Sequence, residues 1–282
     1  MTSVWLFLEP LDVLYLRGNA AFGGPGDHAE ALMPPWPSVF SGALRSALLA
    51  RGGVDLGRFT DEAAEHTDDR LRRVLGTPSQ PGNFRLSAAL LARWQPNTNS
   101  YEPFFPLPQD LLVFEQPPGE KDSKGRGELS EGPSGKLAIV RLRPQVPGEA
   151  FNHVQHSGLT PNLLVVYGAE RGKPRRSWWL TPKGWDTYLS GGTPAAEDLV
   201  STSDLWSYEF RLGIARSRET YTVEEGRIYT TQAVAVKSGV GFLVGVEGCP
   251  EELFHGLSLV RLGGDGRGAS VRLVQGPPWP DP

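Results

Sequence analysis

The stretch VRLGGDGRGASVRLV, Val260 to Val274, sets four glycines, an aspartate and an arginine between two apolar runs. Glycine-bared main chain lets N–H groups approach an anion closely. Arg267 can add a two-pronged hydrogen bond to a phosphate. Two nucleotide-enzyme readings fail on the neighbouring residues. Gly264, Gly266 and Ala269 match G-x-G-x-x-A, but that motif needs a helix after it to hold a pyrophosphate. Here an alternating strand follows. A Walker loop needs lysine after Gly268, where Ala269 stands. The same glycines would also serve a turn packed tightly on a neighbouring helix, and the residues alone do not choose between turn and anion nest.

Other chemistry is sparse. His153 and His156 have the i, i+3 relation of a ligand pair, but no third histidine is near and H-E-x-x-H is absent, so no metal is expected. No G-x-S-x-G occurs. The one cysteine, Cys249 in EGCPEE, has acidic neighbours that would raise its pKa and leave it inert. His28, in the glycine-rich GGPGDHAE, is the best-placed general base if the protein is an enzyme.

Bulk composition sets the frame. At 282 residues and 39% hydrophobic, the chain can bury one large core or two smaller ones. A single cysteine excludes an intramolecular disulfide and a cysteine-rich zinc site. The early apolar run VWLFL is too short to span a bilayer and lacks signal-peptide flanks, so a cytoplasmic protein with no membrane partner is expected. The net charge of −4 weighs against a protein that coats nucleic acid indiscriminately. Arginine nevertheless outnumbers lysine 22 to 6. Codon usage in a GC-rich genome explains much of that excess, and planar donor forks suited to phosphate explain the rest.

The elements that must position these groups can be read along the chain. VWLFLEP is apolar on both faces, as a central strand is. A glycine-rich loop, Gly18 to Gly26, leads to MPPWPSVFSGALRSALLARGG, a helix with Pro37 and Ser38 at its start and Gly52–Gly53 at its end. Phe40, Leu44, Ala47 and Leu48 share one face of it; Ser38, Ser41 and Arg45 share another. A second helix is expected over Glu62–Leu75. Strands are expected at Phe84–Trp94, Asp110–Gln116 and Lys136–Pro144, with a polar, mobile insertion at about 117–135. SWWLTPKGWDTYLSGG reads as a strand and then a Thr181-capped helix. Leu205 to Gly248 reads as β-structure with a turn at Ser238–Gly239. Two α+β domains, 1–150 and 151–282, are expected.

Three ordered blocks carry a family resemblance. Leu8–Leu49 contains an Asp-x-Leu strand end, Arg17–Gly18, an apolar loop, Pro-Pro-x-Pro-Ser and Gly-Ala-Leu-Arg. Tyr208–Thr230 contains Glu-x-Arg-x-Gly-Ile, a threonine-valine pair and Glu-Gly-x-x-Tyr. Leu262–Arg267 is the glycine-rich signature. Together they resemble the third subunit of the type III-B CRISPR effector, the Cmr complex, one of the repeat-associated mysterious proteins (RAMPs). WWLTPKGWDTYLSGG also resembles the family's middle helix.

The resemblance implies two ferredoxin-like (RRM-like) RAMP domains packed together, with the glycine-rich loop near the C-terminus. It implies a subunit with no catalysis and no cofactor, which caps the 5′ end of the complex and holds the repeat-derived tag of the crRNA. Its partners would be that crRNA, the large polymerase-like subunit and the first backbone RAMP subunit. The family's second domain continues past the glycine loop, whereas this sequence stops at Pro282, so the expectation is either that the last strands lie beyond it or that this member is shortened. The residues expected at the RNA are Arg17, Gly18, Phe22 and His28 in the first loop, with Phe22 stacking a base. Ser38, Ser41, Gly42 and Arg45 follow on the first helix, whose N-terminus favours anions. Arg211, Arg216 and Arg218 lie on the extended segment, and Gly263, Gly264, Gly266 and Arg267 in the last loop. Two other assignments fit the same superfamily: a RAMP endoribonuclease with His28 as base, and the equivalent type III-A subunit.

Overall fold

A computed structural model describes residues 3–16, 28–29, 31–57, 59, 68–115, 130–132, 135–142, 144–145, 165–166, 173–217, 219–220 and 222–276. In chain order the first elements are β1 (Val4–Pro10), β2 (His28–Ala29), α1 (Pro37–Arg51), α2 (Asp69–Leu75), β3 (Arg85–Gln95), β4 (Ser100–Pro106) and β5 (Leu111–Glu115). Then come β6 (Ser130–Gly132), β7 (Gly135–Arg141), β8 (Pro144–Gln145), β9 (Val165–Val166), β10 (Trp178–Leu180), α3 (Pro182–Leu189) and β11 (Leu199–Ser201). The last are β12 (Trp206–Arg216), β13 (Val223–Val236), β14 (Val240–Glu247), β15 (Leu259–Arg261) and β16 (Gly268–Val274). The result is an α+β chain built mostly of antiparallel sheet.

The chain does not divide at its middle. One compact unit joins Met1–Pro103 to Leu205–Pro282, and the other is Phe104–Asp204. This differs from the expected halves 1–150 and 151–282, and strand pairing is the reason. β1 lies between β14 and β16, antiparallel to both, with Leu6 opposite Val244 on one side and Leu273 on the other. A first strand apolar on both faces needs two neighbours and two covering layers, and here the C-terminal strands are the neighbours. The expected boundary near 148–158 lies outside the described residues.

In the first unit the strands run in the order β4, β3, β14, β1, β16, β15. Leu6, Phe7 and Leu8 are fully buried. Phe40 of α1 meets Phe242 with ring centres 5.0 Å apart on one face. On the opposite face Trp5, Phe7, Ala92 and Leu243 cluster with Tyr101. Helix α1 runs as expected from its proline start to Gly52, burying Phe40, Leu44 and Leu48, each side chain worth about 1.5–3 kcal/mol. Helix α2 is shorter than expected, because Asp68 caps it by accepting from the Arg70 N–H at 2.7 Å. The β12–β13 hairpin forms a separate sheet, with β2 parallel to β13. It adjoins the first segment where Leu14 bridges Val234.

In the second unit β10 pairs with the end of β4 and with β11, while β5, β7 and β6 form another antiparallel sheet. Strand β4 escapes sequence reading because prolines at 103 and 106 weaken a strand signal. The expected mobile insertion is also shorter at its end, since Ser130–Gly132 pairs with Gly135–Leu137. The rest of it lies outside the described residues. No described helix is long and apolar enough to cross a membrane.

Candidate nucleic-acid interface

Helix α1 begins without a side-chain cap. Its N-cap is Trp36, extended at φ −63° and ψ 147°, and no side chain accepts from the first turn. Pro37 fits the first helical position because it has no N–H to satisfy. The helix therefore presents an open positive end.

The glycine-rich segment is the turn of the β15–β16 hairpin. Leu262 N–H donates to the Arg267 carbonyl at 2.7 Å and closes it. Gly263, Asp265 and Gly266 sit at φ +79°, +56° and +62°. Gly264 N–H donates to the Tyr15 carbonyl at 2.8 Å. A β-carbon on Gly263 would lie 2.7 Å from that same oxygen, so only glycine permits this approach. The glycines press the turn onto the Tyr15–Leu16 main chain, not onto a helix. Between the turn and α1 lies an open cleft of about 580 Å³, lined by Ser38, Gly42, Ser46, Arg261, Gly264 and Asp265 among others.

Four expected residues thus converge: Ser38, Gly42, Gly263 and Gly264. Gly266 belongs to the turn but not to the lining. Ser41 and Arg45 lie off the cleft. At about 100° per residue, the lining stripe Ser38, Val39, Gly42, Ala43 and Ser46 falls to one side of Ser38, and Ser41 and Arg45 fall to the other. Arg45 Nη2 donates to the Leu75 carbonyl at 2.6 Å, and its guanidinium stands 5.9 Å from the Phe84 ring centre. Burial, then Arg85 nearby, lowers its pKa. Here it joins α1 to α2.

Arg267 is likewise committed. It pairs with Asp12 and lies 5.1 Å over the Tyr15 ring. Arg211 pairs with Glu209 at 3.3 Å, which raises its pKa, with a smaller contribution from Tyr15. Arg216 belongs to β12, but its side chain lies outside the described residues, as does that of His28, whose backbone pairs with Thr230. Arg17, Gly18, Phe22, Arg218, His153 and His156 lie outside them altogether. Cys249 is buried, and burial above all pushes its thiol up to about 11. The acidic neighbours are the lesser cause; Arg70 opposes them.

The arginine that does line the cleft is Arg261. It is exposed, and its guanidinium has no hydrogen-bond or ion-pair partner among the described residues. Sequence reading favoured Arg267 because that residue sits inside the glycine run. The alternation of β15 carried the better signal: Val260 is buried, so Arg261 must point the other way, at the last step before the turn.

The chain matches the CRISPR-associated protein (Cas_Cmr3) family over residues 6–282. It belongs to that family. The three sequence blocks therefore carried a real relationship, since the match spans all of them. No curated protein matches the chain. Among solved structures, it is similar to a chain of the type III-B Cmr-beta complex bound to cognate target RNA and AMPPnP, at 15% identity and a TM-score of 0.43. That likeness covers 97% of this chain and 64% of the other, so this chain spans less than two thirds of the length of that relative. The Cmr-beta complex bound to target RNA alone gives the same figures. The apo state gives 12% identity and a TM-score of 0.37, covering 97% of each chain.

Proposed function

We propose that this chain is a non-catalytic RNA-binding subunit of a type III-B CRISPR effector complex. It caps the 5′ end, holds the repeat-derived tag of the crRNA, and stands between the large polymerase-like subunit and the backbone subunits. Family membership supports the complex. One observation carries the RNA role: the uncapped start of α1, the glycine turn and Arg261 face a single cleft. Single-stranded RNA is gripped by such open N–H groups, a guanidinium and close main-chain approach.

The strand order supports a ferredoxin-like first unit. Taken as β1, α1, β3, β14 and β16, its central strands lie in the order fourth, first, third, second, all antiparallel. A short 3-10 turn, Glu251–Leu253, stands where a second helix would be. On this reading the RAMP domain is discontinuous, and its two ends bring the cleft together.

The test is binding of 5′-tagged crRNA to the purified full chain across a salt series. Binding without cleavage is expected, and Arg261→Ala should lower the salt slope by about one counterion. An unchanged slope would remove Arg261 from the RNA. Metal-independent cleavage of repeat RNA, lost in His28→Ala, would replace this reading with the endoribonuclease one.

A further inference from the structure

The cleft carries a charge that a pure phosphate site would exclude. Asp265 lines it together with Arg261. Three other aspartates are held by side chains: Asp12 by Arg267, Asp110 by Tyr188 and Arg141, Asp198 by Lys183. The Asp265 carboxylate is exposed and has no hydrogen-bond or ion-pair partner among the described residues.

Its backbone makes the residue choice more telling. Asp265 and Asn99 are the non-glycine residues with positive φ among the described residues. Aspartate and asparagine adopt that conformation more readily than other L residues, and residues 263, 264 and 266 around Asp265 are all glycine. Glycine at 265 would fit the backbone at least as well, yet a carboxylate stands at this edge of the cleft.

An ionised carboxylate only accepts hydrogen bonds, and it repels phosphate. It must therefore meet a donor on the ligand. In single-stranded RNA the 2′-hydroxyl is a donor on every nucleotide whatever its base, and it is the donor that DNA lacks. We infer that Asp265 accepts a hydrogen bond from the ribose 2′-hydroxyl of the nucleotide whose phosphate lies at Arg261 and the start of α1. The cleft thereby selects RNA over DNA. This inference rests on the cleft being the RNA site.

The experiment is fluorescence anisotropy on the full chain with 3′-labelled oligouridine, its 2′-deoxy counterpart, and a mixed-sequence pair. The parent is expected to prefer ribose in both pairs. Asp265→Gly suits the backbone and should melt no lower than the parent. It should lose about tenfold of the ribose preference, the scale of one hydrogen bond to a charged group. Its DNA binding should tighten, because a repelling charge is gone. Asp265→Asn, which keeps an acceptor oxygen, should retain part of the preference.

An unchanged RNA-to-DNA ratio in Asp265→Gly overturns the inference. So does a change in Asp265→Gly of the oligouridine-to-mixed-sequence ratio with the ribose-to-deoxyribose ratio unmoved, which would make Asp265 a base reader. Arg261-dependent RNA binding with an unaltered sugar ratio sinks this inference alone. If the parent binds no RNA, or Arg261→Ala changes nothing, the cleft reading fails and the sugar assignment with it.

Discussion

Helices α1 and α3 both place a proline in the first turn, and they part at the residue before it. Thr181 precedes Pro182, and its hydroxyl accepts from the Gly184 N–H at 3.2 Å. Lys183 in the same turn pairs with the buried Asp198 at 3.1 Å. Trp36 precedes Pro37 and offers no acceptor. One helix start is completed by its own unit, and the other is left open on a cleft.

The arginines differ in the same way. Arg141 donates to the Tyr188 and Gly192 carbonyls at 2.9 and 2.8 Å, pairs with Asp110, and lies 4.3 Å over the Tyr188 ring. Tyr188 in turn donates to Asp110, which raises its pKa. Arg261 has none of these partners among the described residues. A group whose hydrogen-bonding capacity is filled locally holds the fold; one left unfilled at a concave surface is free to take a ligand.

Substitutions can break or sharpen this contrast. Arg141→Ala should be the most damaging, at about 3 kcal/mol, because it leaves Asp110 with Tyr188 alone and strips two carbonyls of their donor. Denaturant unfolding of the full chain reads this, and a loss below about 1 kcal/mol would mean the Tyr188 cluster holds itself together. Gly263→Ala follows at roughly 2 kcal/mol, from a left-handed φ and a clash with the Tyr15 carbonyl. It should weaken RNA binding as well, by lifting the turn off Tyr15.

Thr181→Ala should cost about 1 kcal/mol, the usual loss of a cap. Trp36→Ser is its mirror image. It should stabilise by about 0.5 kcal/mol by supplying the absent cap, while lowering RNA affinity because its hydroxyl now occupies a helix N–H. Unchanged affinity in Trp36→Ser would take the α1 start out of the site. Arg261→Ala should leave stability within about 0.5 kcal/mol of the parent, so its effect on RNA binding stands clear of any effect on the fold.

Local signals were legible wherever one residue type decides a local geometry. The proline start and glycine stop of α1, the Thr181 cap, the Gly239 turn at φ +72° and the doubly apolar β1 were all readable this way. The candidate site was legible only in part: Ser38, Gly42, Gly263 and Gly264 line one cleft, whereas nothing in the sequence showed that Arg45 and Arg267 have partners within the fold. Their partners, the Leu75 carbonyl and Asp12, are 30 and 255 residues away in the chain. No spacing rule reaches that far.

Composition and pattern alone determined that this chain is α+β, that α1 starts at its prolines, and that a glycine turn follows a strand near the end. These depend on dihedral preferences and on hydrophobic period, which act over a few residues. Tertiary structure decided which arginine is available, which strands flank β1, and that the α1 start and the turn share one cleft. Each of those depends on which distant acceptor or strand edge reaches a group first, and only the folded chain brings them together.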